Sequence, residues 1–313
     1  MDKIIRIGTR ESQLAVWQAN TVKGLLLENG FKSELVYIKS EGDTDLKTPL
    51  YEIGVQGIFT RALDIALLND EIDIAVHSMK DVPTIMAKGI VQAAVLPRAS
   101  YKDLLVFKSG SIVPHLQGVA QFGQDIPKVI ATSSIRRKAQ WLNRYPEDQI
   151  ENLRGNVNTR LRKVAESDWH GAIFAAAGLE RIGLRPENAM ELDWMLPAPA
   201  QGAIIVVSKE SNIYCMEACA HFHDMDTALC TAIERDFLRA LLGGCSTPIS
   251  ALAEVEGNEV VFRGNILSKD GKQKKEVTKK VGIAEATNLG NSAALELLAD
   301  GGQEILNGIR NEN

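Results

Sequence analysis

Short apolar runs of strand length alternate with amphipathic helical stretches through about residue 240, and few architectures accommodate that alternation. Strands of this kind are buried between helices, so the pattern predicts an α/β architecture with largely parallel sheets. The first unit is representative. Residues 3–8 read as a strand, 14–27 carry apolar residues at helical spacing and stop at Gly30, and 34–39 read as the next strand. A helix over 59–68 then leads into a strand over 72–77, followed by strands over 91–96 and 104–108.

Two stiff segments punctuate the pattern, Pro97-Arg98-Ala99-Ser100 and Pro197-Ala198-Pro199-Ala200. Between them the strand-to-helix repeat resumes, with 129–131, 150–153 and 172–176 each entering a helix. Beyond the second, 203–207 is apolar enough to be a buried strand of the first sheet. Two crossings and one returning strand predict two lobes around a cleft, residues 1–98 with 203–222 and residues 99–202. A long helix from 226 ends at Gly243-Gly244, just before Cys245. The texture then changes to alternating stretches with hairpin-type turns at Gly257-Asn258 and Asp270-Gly271 and a closing helix over 293–298, which predicts a small α+β third domain over 223–313.

Lys plus Arg number 35 against 40 for Asp plus Glu in 313 residues, so the net charge of -5 offers no global attraction to nucleic acid or anionic lipid. One stretch departs from that balance. Between Thr132 and Lys163 eight basic residues face three acidic ones. Arg136, Arg137 and Arg154 follow strands directly, where ligands bind in open α/β sheets, and Thr132-Ser133-Ser134 offers hydroxyls and N–H groups at a helix start. These residues form a predicted anion cradle. The planar guanidinium fork suits carboxylates, whereas Lys138, Arg144 and Lys163 read as a solvated helix face. Aromatic residues are only 5% of the chain, too few to interleave with the cluster for base stacking. No apolar run reaches the ~18 residues of a membrane span, and the first residues lack a signal-peptide core, so a cytoplasmic protein is expected.

The segment from Asp73 to Pro83 runs a buried-type strand into polar residues, placing Lys80 and Asp81 at its carboxyl end. Within an arginine-rich cleft an acid stays ionised and can stabilise a cationic reacting centre. His77 reads as a packed strand residue. Cys215 and Cys219 are four apart, as metal ligands on one helical face could be, but no partner pair follows; buried thiols are expected there, and no metal. Cys245 follows the end of a helix, where the dipole raises a thiol pKa, so it is not set up as a nucleophile. The glycines before it leave space for a bulky group to approach, and covalent attachment stands beside a plain buried thiol as a reading.

Six motifs, in order along nearly the whole chain, resemble the hydroxymethylbilane synthase (porphobilinogen deaminase) family. They are Gly8-Thr9-Arg10-x-Ser12-x-Leu14-Ala15, Ala75-Val76-His77-Ser78-Met79-Lys80-Asp81-Val82-Pro83, Thr132-Ser133-Ser134-x-Arg136-Arg137, Leu153-Arg154-Gly155-Asn156-Val157-x-Thr159-Arg160, Gln201-Gly202-Ala203 and Gly243-Gly244-Cys245. The resemblance implies two lobes like those of periplasmic binding proteins plus a small α+β domain, monomeric, with no nucleic-acid or membrane partner. It implies condensation of four porphobilinogens into linear hydroxymethylbilane with release of ammonia, and a dipyrromethane cofactor joined by a thioether to Cys245. It further implies that Ser78, Lys80, Thr132, Ser133, Ser134, Arg136 and Arg137 hold the cofactor carboxylates. Arg10, Ser12, Arg154 and Arg160 would face substrate and the growing oligopyrrole chain, with Gln18, Gln201 and Phe59 as further lining, and Asp81 would carry the chemistry. Glu41 and Gln56 stand where the family usually has positive charge, and Lys102 where many members have arginine.

A non-catalytic two-lobed binding protein for a polycarboxylate shares the predicted fold. It gives no reason for Gly243-Gly244-Cys245 or a third domain, and a periplasmic location would want a signal sequence.

Overall fold

A computed structural model describes residues 3–39, 60–108, 127–241 and 247–311. The first lobe comprises β1 (Ile5–Thr9), α1 (Gln13–Glu28), β2 (Ser33–Tyr37), α2 (Arg61–Leu68), β3 (Ile74–Ser78) and β4 (Ile90–Val95). After the first crossing the chain forms β5 (Asp103–Phe107), β6 (Val129–Ala131), α3 (Ile135–Arg144), β7 (Gln149–Glu151), α4 (Val157–Glu166), β8 (Gly171–Ala175), α5 (Ala176–Glu180) and β9 (Ala189–Glu191). It then recrosses into β10 (Ile204–Lys209) and α6 (Ile213–Ala220). A terminal, third module follows, with α7 (Met225–Ala240), β11 (Ile249–Glu256), β12 (Glu259–Leu267), β13 (Lys274–Gly282), α8 (Leu289–Leu297) and α9 (Gln303–Asn311).

The sheets are mixed rather than largely parallel. Their orders match strand for strand: β2-β1-β3-β10-β4 in one lobe and β7-β6-β8-β5-β9 in the other. In the first, β1 pairs parallel to β2 and β3, while β10 runs antiparallel to both β3 and β4. In the second, β6 pairs parallel to β7 and β8, and β5 runs antiparallel to β8 and β9. The antiparallel member is in each case the strand that has just crossed from the other lobe. It enters from the cleft side, where the parallel strands end, and so must run against them. The returning strand expected over 203–207 is β10, whose residues 204–208 are all buried.

The crossings touch each other at Gly202. Its φ is +89°, and a Cβ there would lie 2.6 Å from Ala99 O and 2.9 Å from Ser100 O, so only glycine lets the two segments run side by side. Glu234 of α7 ties both crossings to the third module. Fully buried, its carboxylate accepts from Arg98 Nη1 (2.6 Å) and Nη2 (3.1 Å), from Ala200 N (2.6 Å) and from Ala253 N (2.8 Å). A buried carboxylate with four donors is compensated for its desolvation.

The third module is a β11-β12-β13 antiparallel sheet against α7 and α8, with Phe237 and Phe262 packed edge to face at 5.1 Å. It also docks on α3 of the second lobe, where Gln140 Nε2 donates to Ser250 Oγ (3.1 Å) and Asn143 Nδ2 to Gly271 O (2.7 Å).

Candidate active site

A cavity of about 730 Å³ lies between the lobes, and its charged wall is built at the carboxyl ends of parallel strands. β1 leads to Arg10 and Ser12, β3 to Ser78, Lys80 and Asp81, β6 to Ser133, Ser134, Arg136 and Arg137, and β7 to Arg154 and Arg160; all of these line it, as does Gln201. Three helices also open onto it. Ser12 caps α1 by accepting from Ala15 N (3.4 Å), Ser134 caps α3 from Arg137 N (3.5 Å), and Asn156 caps α4 from Thr159 N (3.0 Å). Their positive dipole ends reinforce the preference for anions. Gly155 makes the last of these turns possible, since its φ of +112° would press a Cβ to 2.7 Å from Thr159 Cγ2.

Among the described residues, seven cationic side chains line the cavity (Arg10, Lys39, Lys80, Arg136, Arg137, Arg154 and Arg160) against two acidic ones, Glu11 and Asp81. The excess shows in the ionisation of the group. Lys80 is exposed toward the cavity, yet the protein packed around the cleft desolvates its ammonium and pushes its pKa down to about 8, with Asp81 opposing the shift. Burial and the charges of Arg137 and Arg154 bring Arg160 down to about 10, again against the pull of Asp81. Asp81 thus acts on cations from both lobes.

Behind the wall sits a residue the sequence reading missed. Asp103, the first residue of β5, has no exposed surface and accepts from Arg136 Nη2 (2.8 Å), Arg137 Nε (3.1 Å) and Nη2 (2.7 Å), and Gln201 Nε2 (2.8 Å). Burial alone would raise its pKa, but the two guanidiniums outweigh that and hold it near about 2. Further bonds run from Arg136 Nη1 to Leu196 O (2.7 Å) and from Arg137 Nη1 to Ile173 O (2.9 Å). The two arginines are therefore aimed by the protein itself, one carboxylate serving two cations, with Arg136 Nε making no hydrogen bond among the described residues. Gln201 is a bridge as well as lining, for its Oε1 accepts from Lys80 Nζ at 3.3 Å.

Some expected site residues lie elsewhere. Gln18 is not in the cavity wall; it is buried and donates to Ser78 Oγ at 2.8 Å. Thr132 faces a separate 60 Å³ recess beside Ser133 and Ser134, and its Oγ1 accepts from Ser134 N at 3.2 Å. Lys102 turns to Glu191 (2.7 Å) and Asp193 (2.6 Å), away from the cavity. Phe59, Cys245, Glu41 and Gln56 lie outside the described residues. His77 is packed in β3, and burial, assisted by Arg10, lowers its pKa to about 4, so it is neutral at pH 7. Cys215, Cys219 and Cys230 are buried, their thiols pushed up to about 11, 12 and 11.

Residues 5–217 match the family model described as porphobilinogen deaminase, dipyromethane cofactor binding domain, and residues 228–299 match porphobilinogen deaminase, C-terminal domain. The chain is 40% identical over 306 residues to the porphobilinogen deaminase of Syntrophotalea carbinolica, covering 96% of this chain and 95% of that one. It is 37% identical over 315 residues to that of Acidithiobacillus ferrooxidans, covering 99% and 100%. Among solved structures it is similar to an ancestral cationic amino acid solute binding protein (12% identity, TM-score 0.42, 70% of this chain and 87% of the other). A second is a periplasmic domain of Bordetella pertussis BvgS (12% identity, TM-score 0.36, 70% and 40%).

Proposed function

The chain belongs to the porphobilinogen deaminase family, and from that premise we propose which of its residues carry the reaction. It is a transferase of tetrapyrrole and haem biosynthesis that condenses four porphobilinogen molecules head to tail into linear hydroxymethylbilane, releasing ammonia, with a dipyrromethane cofactor. The observation that supports the assignment of roles is that, among the described residues, seven cations and two acids line one cavity. Each porphobilinogen ring bears an acetate and a propionate, so a cleft that holds a lengthening oligopyrrole must answer an accumulating negative charge.

The residues present fit the dipyrromethane. Arg136 Nε is a buried donor that makes no hydrogen bond among the described residues, and Arg136, Arg137, Lys80, Ser133 and Ser134 line the same cavity. These side chains would hold its carboxylates, and Ser78, Thr132 and Gln201 support them. When bound, the group supplies the nucleophilic pyrrole carbon to which the first substrate is joined. Arg10, Ser12, Arg154 and Arg160 receive the carboxylates of incoming substrate. Asp81 accepts hydrogen bonds from pyrrole N–H groups and offsets the positive charge that spreads over the substrate ring as ammonia departs. The burial of Cys215, Cys219 and Cys230 supports Cys245 as the attachment point. With these roles we propose the domain limits 1–98 with 203–222, 99–202 and 223–313, and a cytoplasmic monomer; among the described residues no helix is long and apolar enough to cross a membrane.

Intact mass spectrometry tests the reading. The purified protein should exceed its sequence mass by one dipyrromethane, and Cys245→Ser, which keeps the other three thiols, should abolish the increment. An unmodified chain that still consumes porphobilinogen would overturn the proposed attachment, and a clean mass with no turnover would favour the two-lobed binding protein.

Lys80 gives a second expectation. It loses its proton above about pH 8 rather than near 10.5, so a carboxylate that needs its charge must bring a proton with it at higher pH. Affinity of Cys245→Ser protein for a small dicarboxylate should fall as pH rises through about 8, and Lys80→Met should flatten that slope. Calorimetric titration at pH 7 and pH 9 reads both.

A further inference from the structure

The turn bearing Lys80 and Asp81 directs those side chains into the cavity, and the backbone carbonyls on either side of them are taken up by the third module. Arg235, in the middle of α7, donates from Nη1 to Val82 O (2.9 Å) and Met79 O (3.4 Å) and from Nη2 to Pro83 O (2.6 Å). The acceptors bracket Asp81 on both sides in sequence. Among the described residues no carboxylate forms an ion pair with this guanidinium; its hydrogen bonds go to main-chain carbonyls, while Asp236 favours its charge and Arg239 opposes it through space. On the lobe side the same turn is held by Met79 N donating to Ala203 O (3.0 Å) and closed by Val82 N donating to Met79 O (3.1 Å). Removing Arg235 would leave the turn anchored from one side only.

We propose that Arg235 is a positioning residue for Asp81, fixing the catalytic turn from the third module through three carbonyls. The inference rests on the role given to Asp81 above. It assigns the third module a part in catalysis besides carrying Cys245. Arginine suits the task because its fork spans acceptors that the single ammonium of lysine cannot bridge, and displacing a catalytic group by 1 Å can cost about 10²-fold in rate.

The test uses the full-length, adduct-bearing enzyme. Arg235→Ala should keep the dipyrromethane mass and lower kcat by about 10- to 100-fold with KM changed by less than about threefold, while Arg235→Lys recovers part of the loss. Hydrogen exchange should speed at the amide of Val82 and its neighbours and stay unchanged in the cores of both lobes. In an Asp81→Ala background, adding Arg235→Ala should cost little more, because both changes disable the same group. A full additional loss in that background, an undisturbed kcat, or faster exchange across the whole chain would each overturn the proposal. Failure of the underlying reading looks different: the unsubstituted enzyme itself would carry no adduct or would not consume porphobilinogen.

Discussion

Asp81→Ala should retain the covalent dipyrromethane, bind substrate no more weakly, and turn over at least ~100-fold more slowly, the rate equivalent of ~3 kcal/mol of lost transition-state stabilisation. The expected split between KM and kcat follows from the charges around the cavity. Among the described residues seven cations and two acids line it, so deleting one of the acids makes the cleft a stronger anion trap, and KM should stay level or fall. The rate falls for the opposite reason. A porphobilinogen ring losing ammonia carries positive charge, and in a wall of guanidinium groups Asp81 is the counter-charge that also draws on Lys80 and Arg160 from opposite lobes. Asp81→Asn separates charge from hydrogen bonding. An amide still accepts from a pyrrole N–H, so if charge dominates, Asn should be nearly as slow as Ala. Steady-state kinetics beside intact mass for the three proteins decides it, and near-normal turnover of Asp81→Ala would remove Asp81 from the mechanism.

Much of the lobe architecture was legible because it is written in local signals. Stiff crossings, strand-length apolar runs and helix-start residues each act over a few positions, and together they put Lys80, Arg136, Arg137 and Arg154 at strand ends and Ser134 at a helix start. Strand direction was not local. Nothing within β5 or β10 says that it enters from the far side of the cleft, and that entry is what makes both sheets mixed. β9 is three residues long, too short for any periodicity to register. Within the site, Asp103 was hidden because Lys102-Asp103 looks like a surface ion pair; the available clue was an acid directly opening a five-residue apolar strand in a lobe rich in arginine. Glu234 had a clearer signature. It shares the helical face of Cys230, Ile233 and Phe237, where a solvated acid does not belong, but its partner Arg98 is 136 residues away. Arg235 acts on main-chain carbonyls, and no residue type in the sequence marks such acceptors.

Asp103→Asn should destabilise the second lobe by about 3–5 kcal/mol, the usual penalty for stripping one partner from a buried ionic cluster. An amide of the same shape preserves packing but leaves two buried guanidiniums facing each other, and burial together with Arg137 already disfavours the charge on Arg136. The pH dependence has a definite sign. Because the folded pKa of Asp103 lies near about 2, below the ordinary 3.8, its contribution is complete above pH 3.8 and is lost as pH falls toward 2. The cluster therefore persists through mild acid, and Asp103→Asn should remove that part of the acid dependence. The decisive comparison is between loaded and unloaded protein. If Arg136 and Arg137 hold ligand carboxylates, the covalent dipyrromethane brings its own counter-charge to them, and the destabilisation should be smaller in adduct-bearing enzyme than in the Cys245→Ser background. Urea unfolding followed by tryptophan fluorescence, to which Trp141 in the second-lobe core contributes, reads both backgrounds. An equal loss in each would place the ligand's carboxylates away from these two arginines and leave Asp103 as their sole counter-charge.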